Sequence, residues 1–63
     1  MNKFILLHYL ENKDPFMIRV DNLIAVNETE GVVSIDIRGD YTIEIDESFK
    51  DMIEMLEPAR LRG

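Results

Sequence analysis

The chain has no cysteine among its 63 residues and a single histidine, His8. The first absence removes disulfides and thiolate metal sites, and the second removes an imidazole-rich zinc site. Three scattered glycines form no phosphate-cradling loop. Basic residues are also scarce: 7 Lys and Arg against 13 Asp and Glu leave a net charge of −6. Such a chain repels phosphate backbones and anionic membrane faces, and it lacks the clustered basic footprint that nucleic-acid binding needs. Its only basic concentration is Arg60 with Arg62. Long apolar runs are missing too. Lys3 and Phe4-Ile5-Leu6-Leu7 imitate the start of an export signal, but the run ends at His8, and Glu11 follows with no small-residue cleavage site. A membrane helix needs ~20 apolar residues. The expected setting is the cytoplasm, with neither nucleic acid nor membrane as a partner and no cofactor.

At 46% hydrophobic and 32% charged, the composition is that of a globular protein. The length allows one domain over 1–63. A domain of this size buries only about 60% of its unfolded surface, and such scaffolds commonly need a staple. With disulfides excluded, self-association or tight local packing must supply the stability.

Alternation of side chains predicts strands at 3–10, 16–20, 23–27, 32–37 and 41–45. In the first, Phe4, Leu6, His8 and Leu10 share one face and Ile5, Leu7 and Tyr9 the other. A strand apolar on both faces is either covered on both sides or part of a subunit interface. Glu11 to Pro15 reads as a polar turn, and Asp21-Asn22 as a tight turn or single helical turn. Asn27 to Gly31 reads as a turn, and Gly39-Asp40 as a hairpin signal of the Gly-X type. The last two strands alternate cleanly, with Val33, Ile35 and Ile37 and then Tyr41, Ile43 and Ile45 inward.

The period then changes. Phe49, Met52, Ile53 and Leu56 form one helical stripe, predicting a helix over 47–57 capped by Asp46 or Ser48 and stopped by Pro58, with a tail at 58–63. Its outer face carries Glu47, Lys50, Asp51, Glu54 and Glu57, and Lys50 is placed to pair with Glu47 or Glu54. The resulting class is α+β, mostly β: a small antiparallel sheet or partly open barrel of about five strands with one C-terminal amphipathic helix.

Candidate chemistry is sparse. The hydroxyls are Thr29, Ser34, Thr42 and Ser48, with His8 as the only imidazole; Ser48 is better explained as a helix cap. Asp36, Asp40 and Glu44 lie on or between neighbouring strands, where a solvated outer face outweighs a weak cation site, and no calcium-loop spacing is present. Arg38-Gly39-Asp40 matches an adhesion tripeptide, yet Gly-Asp is also what a hairpin turn selects. Met17, Met52 and Met55 read as adaptable fillers of core or interface.

Val20-Asp21-Asn22-Leu23-Ile24-Ala25-Val26, followed by a glycine hairpin and Ile45-Asp46-Glu47-Ser48-Phe49 opening a short helix, resembles the FlbD-like flagellar and swarming-motility family of small bacterial proteins, and similar short bacterial and phage proteins. The family usually has Leu-Asn-Gly after its first strand, where this chain has His8-Tyr9-Leu10-Glu11. Its Pro-Asp-Thr before the hairpin is Glu28-Thr29-Glu30-Gly31 here. The resemblance implies a bacterial or phage origin and brings no catalytic residues with it. The residues themselves point to a non-enzymatic interaction module that associates with itself through Ile5, Leu7, Tyr9 and Met17. The alternative is an acidic inhibitor or regulator that sets Glu47, Asp51 and Glu54 against a basic partner protein.

Overall fold

The computed structural model describes residues 3–56. The predicted tail at 58–63 and the stop at Pro58 lie outside them. Strands β1 (Phe4–His8) and β2 (Pro15–Arg19) form an antiparallel hairpin in which Ile5 faces Ile18, Leu6 faces Met17 and Leu7 faces Phe16. The loop between them closes locally: the Tyr9 N–H donates to the Asp14 carbonyl at 3.0 Å, and the Lys13 N–H to the Tyr9 carbonyl at 2.9 Å. Proline is tolerated in sheets only at edges and strand starts, and Pro15 occupies both positions at once.

A 3₁₀ turn over Val20–Asn22 redirects the chain, as the Asp21-Asn22 pair leads one to expect. Strands β3 (Leu23–Thr29), β4 (Val32–Ile37) and β5 (Tyr41–Ile45) then form a second antiparallel sheet in the order β3-β4-β5. The two sheets meet at a short seam. Tyr9 bridges Ile45, the Leu10 N–H donates to the Glu44 carbonyl at 3.1 Å, and the Asp46 N–H donates to the His8 carbonyl at 2.9 Å. Lys13 reinforces the seam from outside, its Nζ 2.7 Å from the Asp46 carboxylate.

Helix α1 (Phe49–Leu56) begins where Ser48 Oγ accepts the Asp51 N–H at 3.0 Å, so Ser48 rather than Asp46 caps it. Among the described residues, the core is Ile5, Leu7, Ile18, Val33, Ile35, Ile45 and Met52, contributed by four of the five strands and by the helix. The helical stripe is turned relative to the prediction. Met52 is its centre, flanked by half-buried Phe49, Met55 and Leu56, while Ile53 is exposed.

Two turns differ from the sequence reading. β3 runs on to Thr29, so Asn27 to Thr29 is strand and only Glu30-Gly31 turns. The expected strand 23–27 thus gains Glu28 and Thr29, because polar residues on the solvent face of a strand resemble turn formers; the Asn27 amide reaches the Asp36 carboxylate at 3.3 Å. Glu30 and Gly31 both have positive φ, 52° and 82°, the geometry of a type I′ hairpin turn. The second hairpin is not the two-residue Gly-X turn: Ile37 pairs with Tyr41, so Arg38, Gly39 and Asp40 form a three-residue loop in which Gly39 and Asp40 have positive φ, 100° and 68°. A left-handed conformation costs a non-glycine residue about 1–2 kcal/mol, and asparagine tolerates it best. Glu30→Asn is therefore expected to raise stability by about 1 kcal/mol. The check is a higher urea midpoint at unchanged slope.

Candidate functional site

The hairpin β1–β2 sorts its side chains by parity. Ile5 and Leu7 point into the core with Ile18. Phe4 and Leu6 point outward, each 51% exposed, beside Met17 at 63%. Two members of the expected interface, Ile5 and Leu7, are therefore core residues that no partner reaches while the fold holds. Both faces of β1 are equally apolar, so hydrophobicity could not rank them; the curl of the hairpin onto β4 and β5 decides. One sign was available: His8 shares the face of Phe4 and Leu6, and a polar residue marks the wetter side. Met17 does lie on the exposed face. Tyr9 shares the inward face of Ile5 and Leu7 and lies at its partly exposed end, stacked on Phe16 with ring centroids 4.3 Å apart, a diagonal cross-strand pair.

The acidic residues separate as well. Asp51 and Glu54 are exposed on α1. Glu47 precedes the helix and turns back to β1. One carboxylate oxygen accepts the His8 N–H at 2.9 Å and the other meets His8 Nδ1 at 2.7 Å. This pairing replaces the expected contact of Glu47 with Lys50. It fixes the end of β1 against the start of the helix and makes Glu47 a bracing residue, its side chain mostly covered. Glu47, Asp51 and Glu54 are nevertheless neighbours, lining with Leu6 and Met55 a groove of about 330 Å³. Leu6 makes this groove continuous with the exposed apolar face of the hairpin. Phe4 and Leu6 are absent from the surface expected from sequence, whereas Met55, expected in core or interface, lies half-buried in the groove.

Other candidates come apart. Asp36 accepts hydrogen bonds from Asn27 and from Thr42 Oγ1, the latter at 3.1 Å. Among the described residues no three His, Asp or Glu side chains group closely enough to hold a metal ion. Arg38 ties the β4–β5 turn to the 3₁₀ turn: its Nη2 donates to the Asp21 carbonyl at 3.1 Å, and its own N–H to the Asn22 carbonyl at 2.9 Å. That accounts for the first residue of Arg38-Gly39-Asp40 in structural terms. His8 has an acid partner in Glu47, but none of the described hydroxyls bonds to the imidazole to complete a nucleophilic triad. No helix among the described residues is long and apolar enough to cross a membrane. Comparison of the chain with protein-family models, with curated proteins and with solved structures gives no match.

Proposed function

We propose that this chain is a protein-interaction module without catalytic activity of its own, and that it associates with itself through the outer face of the β1–β2 hairpin. The observation that carries the reading is the exposure of Phe4, Leu6 and Met17 on one contiguous face. Solvent-facing sheet surfaces normally alternate to polar residues; on β3–β5 the Asp36 carboxylate accepts from both Asn27 and Thr42, and the exposed Ile24 and Tyr41 lie apart from the hairpin face. A large apolar patch rimmed by polar groups is characteristic of an interaction surface. Kinship with the FlbD-like proteins belongs to the proposal; its support is that Asp21-Asn22 forms the redirecting turn and Ser48 caps the helix. A cytoplasmic setting belongs to it as well, supported by the lack of cysteine.

Sedimentation over micromolar concentrations is the test. A reversible monomer–dimer equilibrium is expected, strengthened by salt because each copy carries −6. The double variant Leu6→Gln, Met17→Gln leaves the charge unchanged and alters only exposed side chains. It is expected to remain monomeric with the circular dichroism of the parent. A parent that stays monomeric at every concentration, or a variant that dimerises as well as the parent, sinks self-association through this face.

A further inference from the structure

We infer that the groove between β1 and α1 takes a basic segment of a partner protein, which inserts one apolar side chain between Leu6 and Met55 and sets Lys or Arg against Asp51 and Glu54. The inference rests on the reading of this chain as an interaction module and names the partner's chemistry. The groove is lined by two apolar side chains, Leu6 and Met55, and three acidic ones, Glu47, Asp51 and Glu54, with no basic residue among the described residues that line it. Glu47 is held by His8, whereas no described residue pairs with the carboxylates of Asp51 or Glu54. Lys50, on the same helix, forms no ion pair with Glu54 or Asp51. Lys13 pairs with Asp46, and Lys3 donates to the backbone carbonyl of Met55 at 3.4 Å rather than to either carboxylate. Two carboxylates without an ion pair among the described residues, beside an exposed leucine, present a charge that a cationic segment complements and a second acidic copy does not. The volume, about 330 Å³, suits one or two side chains, not a small-molecule substrate. Leu6 belongs both to the groove and to the hairpin face, so a bound basic segment and a second copy exclude each other.

The probe is a short peptide of lysine and leucine at helical spacing, with one tryptophan as fluorophore; the chain itself has none. Its counterpart carries glutamate in place of every lysine. The basic peptide is expected to bind, to shift the amide resonances of Leu6, Asp51 and Met55, and to weaken on addition of salt. Binding should fall about tenfold in Asp51→Asn, Glu54→Gln. It should be unchanged in Glu28→Gln, Glu30→Gln, which removes as much charge outside the groove. Equal binding of the acidic peptide overturns the proposal, as does equal weakening by the two double variants, because net charge alone would then explain it. Absence of binding also overturns it. In that case sedimentation separates the two readings: a persistent dimer leaves the interaction module standing, and a monomer removes both.

Discussion

Leu7→Ala is expected to lower the melting temperature by roughly 10–30 °C, whereas Leu6→Ala, one residue away, is expected to leave it nearly unchanged. Leu7 has no exposed surface and lies among Ile5, Ile18, Ile35 and Ile45. Truncating a buried leucine costs about 2–5 kcal/mol, part of it for the cavity left behind. Domains are stable by only about 0.05–0.15 kcal/mol per residue, so a chain of 63 residues has about 3–9 kcal/mol in total. The loss is therefore comparable with the whole stability. Leu6 is half exposed, and surface substitutions of that kind stay within about 0.5 kcal/mol. Thermal melts of the two variants under identical conditions decide the matter. Equal losses, or a larger loss at Leu6, would reverse the inward and outward faces of β1 and remove the proposed interaction surface with them.

The second large effect is expected at Met52. Met52→Ala should cost about 2–5 kcal/mol, while Ile53→Ala should be neutral or slightly stabilising. Met52 is fully buried at the centre of the helix's inner face, and Ile53 is 39% exposed at its flank. Alanine is the best helix former, so helix propensity opposes neither change, and what is lost at Met52 is packing. Helix α1 has 8 residues, and isolated helices shorter than about 12–15 residues do not persist in water. Losing its anchor therefore releases the helix, which should appear as a drop in helical circular dichroism. Similar losses at both positions would return the helix to the stripe in which Met52 and Ile53 are equivalent.

These two residues also show where the sequence was legible. β4 and β5 fall at 32–37 and 41–45 as the alternation predicts, because one face is buried and the other wet. Tyr41, expected inward, is 68% exposed because it begins β5 beside the turn, beyond the edge of the core. Ser48 was legible through local chemistry, since an N-cap oxygen needs only the amides that follow it. The first strand was ambiguous because both its faces are apolar. Burial there depends on which way the hairpin folds over the other sheet, a choice made by residues distant in the chain. The helix presented the same difficulty on a smaller scale. Ile53 and Met55 both flank Met52, and the packing surface of the sheet selects Met55. The acidic side of the groove, Glu47, Asp51 and Glu54, was legible as a charged helix face; its union with Leu6 and Met55 was not. The groove joins Leu6 to Asp51, Glu54 and Met55 through tertiary packing, and the contact of Glu47 with His8 that braces it spans most of the chain.

The seam between the sheets has a kinetic consequence. Each hairpin pairs neighbours in sequence, and hairpins form in about 1–10 μs. Tyr9 and Ile45 meet only after the chain between them is gathered into a closed loop, whose entropy must be lost before the contact repays it. Refolding is therefore expected to form turns and hairpins first and to register the two sheets later. The Lys13–Asp46 ion pair and the His8–Glu47 pair straddle that late step. Weakening either one should act mainly on how slowly the native chain comes apart if the seam is still open at the barrier, and on how fast it forms if the seam is already made.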